Sequence, residues 1–179
     1  MRLFSNSVLR PVFAAFALLL SAESFAANGV GEPAPNELGR TLDGKVITLS
    51  SFAGKVVVVS FWATWCKYCL KELPILENIQ NLAGEERVQV IAVNTEERDV
   101  FRRVSRTLKD LKMMLAYDPD ETYAKSFGVK GIPHLVIIGR DGKIIQVYRG
   151  YGESSLDGIV ADLNQAINSA APHAVPAAK

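Results

Sequence analysis

The segment that decides the fold is Phe61–Cys69, which reads FWATWCKYC and contains the only two cysteines of the 179-residue chain, Cys66 and Cys69. The valine-rich run Lys55–Trp62 that leads into it is typical of a strand buried on both faces of a sheet. From Cys66 to about Leu82, leucine and isoleucine recur at helical spacing, which predicts a helix directly after that strand. The cysteine pair is therefore expected at a strand-to-helix junction.

Strands and helices alternate along the rest of the chain. Val88–Val93 is a second apolar run, so the first strand, the helix and this strand should form a parallel β-α-β unit. Asp43-Gly44 and Asp141-Gly142 each separate two short apolar runs, and both predict β-hairpins. Four further elements are predicted: a helix over Val100–Leu111, a short strand at Met113–Ala116, a short helix capped by Asp118, and a last helix from Ser154 to Ile167. The alternation indicates an α/β domain.

Composition excludes several classes of protein. The formal net charge of +1 provides no basic surface for nucleic acid or for an anionic membrane. Charged residues make up 22% of the chain, which leaves enough apolar side chain for a core and argues against disorder. Two cysteines are too few for a multi-disulfide scaffold or a four-cysteine metal site.

The two ends of the chain are predicted to lie outside the domain. Residues 1–26 resemble a cleaved signal peptide, with a basic start, an uncharged stretch at Pro11–Ala22 and small residues before the expected cleavage site. The uncharged stretch is short for a spanning helix, although an uncleaved N-terminal anchor is the alternative. Residues 27–169 then form one domain, and the Ala/Pro-rich residues 170–179 are expected to be disordered.

The spacing of the cysteines points to redox chemistry. At a helix N-terminus, the helix dipole and unpaired N–H groups favour a thiolate at Cys66, and Lys67 adds a positive charge. Cys69 lies one turn later, within bridging distance, so an accessible nucleophilic thiol would have a more buried thiol behind it. A purely structural bridge would stabilise little, because it closes a very short loop. Half of a zinc site is the other alternative, but the chain has only two histidines, His134 and His173.

Three stretches of sequence together resemble the thioredoxin superfamily, and within it the exported TlpA/ResA-type thiol–disulfide oxidoreductases of the redoxin branch. They are the segment Gly54–Pro74 around the cysteines, Gly131-Ile132-Pro133 ahead of an apolar strand, and the leading hairpin with Leu42–Lys45. The resemblance spans about Gly31 to Ile167. It implies a thioredoxin-like fold with a central mixed sheet flanked by helices and an added N-terminal β-hairpin.

The resemblance assigns roles to individual residues. Cys66 matches the attacking cysteine, Cys69 the resolving cysteine, and Pro133 a cis-proline that faces the pair. With its fixed φ and no N–H, such a proline leaves neighbouring backbone groups free to pair with an extended substrate. The positions expected to contact substrate are Trp65, Lys67, Tyr68, Ile132 and His134.

Glu72 matches the acid that this branch carries one turn after the second cysteine. A buried carboxylate at that place would take the proton from Cys69 as a general base, and the alternative is a solvated residue paired with a lysine. Ser60 stands where thioredoxins proper have a buried aspartate, which leaves acid–base chemistry to Glu72 or to water. The dipeptide Lys67-Tyr68 also departs from the proline that many relatives have between the cysteines, and it helps to set the redox potential.

His134 follows the predicted cis-proline directly, where thioredoxins usually have threonine. Its imidazolium would lower the thiol pKa if the side chain reaches the cysteines. Together with Cys66 and Cys69 it would alternatively form a three-ligand Cu(I) site. The third possibility is a side chain that points along the strand, away from the pair.

The predicted function is that of a periplasmic, exported thiol–disulfide oxidoreductase that needs no cofactor and no metal. It exchanges disulfides with exported proteins through Cys66 and Cys69, in the reducing direction by analogy with the family, as in cytochrome c maturation or reduction of copper-site thiols. A membrane-embedded thiol reductase would return it to the dithiol, and no nucleic acid or membrane span is expected. The alternatives are a copper-binding module that uses His134 and a redoxin-type peroxidase, although no further cysteine is present to serve as a peroxidatic thiol.

Overall fold

The computed structural model describes residues 29–150 and 152–169, so the predicted signal peptide and C-terminal tail lie outside the described residues. The strands are β1 (Glu37–Arg40), β2 (Val46–Thr48), β3 (Val56–Trp62), β4 (Val88–Asn94), β5 (Met114–Tyr117), β6 (His134–Ile138) and β7 (Ile144–Arg149). The α-helices are α1 (Lys67–Ala83), α2 (Arg98–Thr107), α3 (Thr122–Ser126) and α4 (Glu153–Asn168). Among the described residues, none of the helices combines the length and the hydropathy needed to cross a membrane.

The strands form one mixed sheet in the order β2-β1-β5-β4-β3-β6-β7. The three central strands, β5, β4 and β3, run parallel. β6 pairs antiparallel with β3, and β7 pairs antiparallel with β6 at the edge of the sheet. The predicted β-α-β unit is thus confirmed, as are both hairpins. The N-terminal hairpin joins the sheet through β1, which pairs antiparallel with β5. This is the thioredoxin-like α/β architecture with its extra hairpin.

Strand β3 separates two hydrophobic clusters, because successive side chains of a strand point to opposite faces of the sheet. Every residue of β3 is buried. One face contributes Val56, Val58 and Trp62 to a cluster that includes residues of α1 and α4. The other contributes Val57, Val59 and Phe61 to a cluster with residues of β1 and α3. Ser60 belongs to the first face by this alternation, which places it on the side of α1.

Helix α1 begins where the sequence predicts, directly after Cys66, which is its N-cap. Its buried face consists of Cys69, Glu72, Leu73, Leu76, Glu77 and Gln80. Three of these are polar, and each accepts a hydrogen bond from a residue outside the helix, which offsets the cost of its burial. The helix therefore carries a polar strip through the core on the same face as the second cysteine.

The start of the short helix α3 differs from the prediction. Asp118 was expected to be its cap, but the helix begins at Thr122, after a turn in which the Glu121 N–H donates to the Asp118 carbonyl oxygen at 3.2 Å. The Asp118 carboxylate still accepts a hydrogen bond from the Ala124 N–H at 2.8 Å. It thus serves the helix N-terminus across the turn rather than as the adjacent cap. The last helix also starts one residue earlier than predicted, at Glu153.

Candidate active site

Cys66 and Cys69 form a disulfide at the N-terminus of α1, with their sulfurs 2.08 Å apart and their Cα atoms 5.3 Å apart. Cys69 is completely buried, and Cys66 retains 6% of its surface. Cys66 is thus less exposed than the sequence predicts, because it belongs to the hydrophobic cluster that also contains Cys69. Even so, of the two cysteines only Cys66 keeps any solvent-accessible surface.

The backbone at the helix start polarises the Cys66 sulfur. The Cys69 N–H donates a hydrogen bond to Cys66 Sγ at 3.2 Å, which is the contact of an N-capping side chain. No acidic residue lies in the first turn of α1, so nothing there offsets the positive end of the helix dipole. Once the disulfide is reduced, both features favour a thiolate over a thiol at Cys66.

An aromatic and basic surface surrounds the pair. The Trp65 side chain is 70% exposed and that of Tyr68 is 54% exposed, while Lys67 is also exposed between the two cysteines. Lys71 Nζ lies 5.9 Å from the centre of the Tyr68 ring, a cation–π distance. Large aromatic side chains held in water at a reactive centre are typical of a surface that binds another polypeptide.

A groove of about 200 Å³ opens beside Trp65. Its opposite wall is the segment Val129–Ile132, which leads directly into the Ile132–Pro133 peptide bond, and that bond is cis. Ile132 is half-buried and packs against the cluster that contains both cysteines. The residues predicted from the two separate motifs are thus brought together on one rim of the molecule, with the groove between them.

Glu72 is buried, with 2% of its surface exposed, so the solvated alternative does not hold. Its Oε1 accepts a hydrogen bond from Ser60 Oγ at 2.8 Å. Burial raises the pKa of the Glu72 carboxyl, and the Ser60 hydrogen bond opposes part of this rise. Glu72 lies three residues after Cys69 on the buried face of α1, so the two side chains are one helical turn apart.

His134 does not join the cysteine pair. It lies opposite Phe61 in the β3–β6 register, and the two rings contact each other edge to face with centroids 6.2 Å apart. Phe61 belongs to the cluster on the sheet face away from α1. Burial and the neighbouring positive charge of Arg149 lower the pKa of His134 to about 4, so the ring is neutral at physiological pH. This placement matches the third possibility, a histidine that points away from the pair.

The described residues contain no group of three or more His, Cys, Asp or Glu side chains arranged to hold a metal ion. The proposed copper site of Cys66, Cys69 and His134 is therefore not assembled in this part of the chain.

Two polar residues near the pair were not singled out from the sequence. Thr64 precedes the Trp65-Cys66 dipeptide, and Glu96 follows the end of β4, and their side chains are hydrogen-bonded to each other. The predicted parallel pairing of β3 and β4 could have indicated this contact, because the residues that follow two parallel neighbouring strands meet at the same edge of the sheet.

A mixed α/β sheet that carries a Cys-x-x-Cys disulfide at a strand-to-helix junction, beside a cis-proline loop, defines a thioredoxin-fold protein-disulfide oxidoreductase. Comparison with known proteins agrees. The redoxin family profile matches residues 29–167. The thiol-disulfide oxidoreductase ResA of Bacillus thuringiensis subsp. konkukian (strain 97-27) is 37% identical over 121 residues, which cover 68% of this chain and 70% of that protein.

Solved structures show the same relationship. A proposed thiol:disulfide interchange protein DsbE from Chlorobium tepidum superposes with a TM-score of 0.68 at 27% identity, covering 78% of this chain and 99% of that one. The exposed lipoprotein thioredoxin Etrx1 of Streptococcus pneumoniae strain TIGR4 gives a TM-score of 0.59 at 32% identity, covering 72% and 97%. The chain therefore belongs to the redoxin family, as a ResA-like thiol–disulfide oxidoreductase whose partners are protein thiols and disulfides.

Proposed function

We propose that this protein reduces disulfide bonds in exported polypeptides, with Cys66 as the attacking residue and Cys69 as the resolving residue. The observation that carries the proposal is the asymmetry of the pair: Cys66 caps the helix and reaches the surface, whereas Cys69 is wholly buried. A partner's disulfide has access to the first residue alone.

The reaction then runs in two displacements. The Cys66 thiolate attacks one sulfur of the partner's disulfide, and the other partner sulfur leaves as a thiolate, which gives a mixed disulfide. The Cys69 thiolate next attacks Cys66 Sγ, which re-forms the Cys66–Cys69 disulfide and releases the reduced partner. Two electrons pass from this protein to its partner, and no cofactor takes part.

Glu72 is proposed as the general base of the second displacement. Cys69 lies in an apolar cluster, where its thiol ionises poorly without a proton acceptor. The Glu72 carboxyl lies one turn away on the same buried face, and Ser60 holds one of its oxygens. A carboxyl whose pKa is raised by burial takes a thiol proton more readily than an ordinary one, since proton transfer is favoured when the acceptor's pKa approaches that of the donor.

The substrate surface is proposed to consist of Trp65, Lys67, Tyr68 and Ile132, with Pro133 ordering the backbone beside the pair. An extended segment of the partner would lie along the groove next to Trp65, because the cis-proline loop forms the opposite wall. His134 is left out of this surface, since its side chain is buried against Phe61.

The place of action is proposed from residues 1–26, whose pattern is that of a signal peptide that directs the domain to the periplasm. In such an oxidising compartment a reductant needs a source of electrons, and a membrane-embedded thiol reductase is the proposed donor. Cytochrome c precursors and copper-site proteins are the proposed recipients, because both need free thiols before they bind haem or metal.

Trapping tests this proposal. Cys69→Ser should accumulate mixed disulfides with exported proteins, because the first displacement proceeds and the second does not. Cys66→Ser should accumulate none and should abolish exchange. Exchange that survives Cys66→Ser would refute the assignment of roles.

The direction of electron flow needs a separate measurement. We expect the Cys66–Cys69 couple to have a reduction potential closer to the value of about −270 mV found for thioredoxin than to about −120 mV for DsbA. A potential near the latter would make the protein an oxidant and leave the exchange chemistry intact.

A further inference from the structure

The loop between β3 and α1 is held by a side chain from the end of the neighbouring strand. The Thr64 N–H donates to Glu96 Oε2 at 2.6 Å, and the Thr64 hydroxyl donates to Glu96 Oε1 at 2.8 Å. One carboxylate thus binds a backbone donor and a side-chain donor of the same residue. Thr64 lies directly before Trp65, which is followed by the attacking cysteine.

The carboxylate of Glu96 is itself fixed by its own strand. Asn94 Nδ2 donates to Glu96 Oε2 at 3.1 Å, and the Glu96 N–H donates back to Asn94 Oδ1 at 3.0 Å. Asn94 is completely buried, so these bonds are anchored in the sheet. Because Asn94 and Glu96 bind each other twice, the carboxylate has little freedom to follow the loop, and the loop is held to the sheet.

This contact lies next to the groove beside Trp65. Two residues of that groove flank the contact in sequence: Trp65 follows Thr64, and Thr95 lies between Asn94 and Glu96. The Trp65 side chain is largely exposed, so its own packing fixes its position weakly. The wall that Trp65 forms therefore depends on the backbone before it, which Glu96 holds.

We propose that Glu96 is a positioning residue for partner binding: it holds the Trp65 wall of the groove in place for the polypeptide segment that flanks the partner's disulfide. The proposal rests on the disulfide-exchange function and extends it. Glu96 bonds to Thr64 and to Asn94, not to the cysteines, so its effect is on how the partner binds and not on the exchange of sulfurs.

The chemistry of the contact decides which variant breaks it. Three donors converge on the two carboxylate oxygens of Glu96, and the Thr64 N–H and Asn94 Nδ2 share one of them. A glutamine would keep the contact, because its oxygen can accept from these two groups while its amide donates to the Thr64 hydroxyl, which also accepts. Glu96→Ala instead removes both acceptor oxygens and leaves all three donors without them.

The experiment compares Glu96→Ala with Glu97→Ala in reduction of two substrates: a synthetic peptide with one internal disulfide, and the small aromatic disulfide DTNB. Glu97 is the matched control, because it is exposed, makes no side-chain capping bond to α2 and loses the same side chain and charge. For Glu96→Ala we expect KM for the peptide to rise about tenfold, the effect of losing a hydrogen bond to a charged group, with kcat and the DTNB rate unchanged. Glu97→Ala should behave as wild type toward both substrates.

Thr64 provides a second, independent pair of variants. Thr64→Ser keeps both donors and should keep the wild-type KM, whereas Thr64→Val keeps only the backbone donor and should raise KM by less than Glu96→Ala. The proposal is overturned if KM for the peptide is the same in Glu96→Ala and Glu97→Ala, or if the peptide and DTNB rates fall in the same proportion. Should Glu96→Ala fail to fold, the Thr64 pair decides, and equal KM for Thr64→Val and Thr64→Ser contradicts the proposal.

Discussion

Ser60 donates a 2.8 Å hydrogen bond to the buried carboxyl of Glu72, from the middle of β3 to the inner face of α1. By the resemblance to thioredoxins, the serine stands at the position of their buried aspartate, and in this chain the buried acid lies on the helix and is bound by the strand residue. A hydroxyl donor stabilises the charged carboxylate, which partly offsets the cost of burying it. The pKa of the Glu72 carboxyl is thus set by two opposing effects, burial, which raises it, and the Ser60 hydrogen bond, which lowers it.

The first prediction concerns the pH dependence of resolution. Ser60→Ala removes the bond that favours the carboxylate, so the pKa of Glu72 should rise further and the resolving step should need a higher pH. Glu72→Gln should remove the part of the pH profile that comes from titration of the Glu72 carboxyl. It should also slow resolution about 100-fold, the lower end of the effect of a general base. The measurement is the rate at which a preformed Cys66 mixed disulfide releases its partner between pH 5 and 9. An unshifted profile for Ser60→Ala would contradict the role of the pair.

The same carboxyl affects stability. Because its pKa is higher in the folded protein than in the unfolded chain, the folded state binds more protons between the two values, and stability falls as pH rises through that interval. Glu72→Gln should therefore be more stable than wild type at pH 7, and the gain should disappear below the ordinary pKa of 4.5. Urea unfolding of both proteins at pH 4 and pH 7 measures this. A variant that is less stable at pH 7 would show that the charge is compensated by partners other than Ser60.

His134 should make stability depend on pH in the opposite direction. Its pKa is lowered from 6.5 to about 4 by burial and by Arg149, so the unfolded chain binds a proton that the folded protein does not. Stability should then fall as pH drops from 6.5 to about 4, with a loss of about 3 kcal/mol from this residue. The difference in unfolding free energy between wild type and His134→Leu, measured across this range, isolates the effect. A constant difference would mean that the ring has the same pKa in the folded protein as in the unfolded chain.

The fold was predictable from sequence because its signals are local and redundant. The valine run of β3, the Asp-Gly hairpins and the apolar stripe of α1 each specify an element without long-range information, and the cysteine motif fixes how they join. The start of α3 was predicted wrongly because Asp118 acts across a turn, and a cap that acts at a distance has no fixed spacing in the sequence.

The site was predictable only where it follows the motif. Cys66, Cys69 and Glu72 share one helix, so helical spacing places them together. Glu96 was not predicted as a site residue, because its contact with Thr64 joins residues 32 positions apart in the sequence. Only the parallel pairing of β3 and β4 brings these two residues to the same edge of the sheet. The side of the sheet that His134 faces was equally undetermined, since it depends on the register between β3 and β6.

The close packing of the N-terminal hairpin against β5 should make one glycine of the hairpin more sensitive to substitution than another. The free energy of unfolding of two glycine variants measures this. Gly39 has a φ of +141°, and a Cβ there would lie 2.9 Å from Ala116 Cβ, where β1 packs beside β5. Gly44, in the hairpin turn, has a φ of +87° but open space around it. Gly44→Ala should cost about 1 kcal/mol from backbone strain alone, and Gly39→Ala about 3 kcal/mol because the overlap adds to the strain. Equal losses on urea unfolding would argue against close packing of the hairpin on β5.

Glu77 provides a prediction that separates stability from activity. Its carboxylate accepts hydrogen bonds from the Lys112 and Met113 N–H groups, each at 2.9 Å, and so fixes the segment that leads into β5. Glu77→Ala leaves both donors without this acceptor and should destabilise the protein by about 3 kcal/mol on urea unfolding. The rate of disulfide exchange under folding conditions should not change, because Glu77 lies about two turns along α1 from Cys69.

The matched control for Glu77→Ala is Asn81→Ala. Asn81 donates to the same carboxylate at 3.1 Å, but its loss leaves both backbone N–H groups bound, so it should cost less than about 1 kcal/mol. If the two variants lose the same stability, the carboxylate does not anchor the strand. If Glu77→Ala also slows exchange while the protein remains folded, the buried polar strip of α1 transmits a change at β5 to the cysteines, and the separation of stability from activity along this helix is wrong.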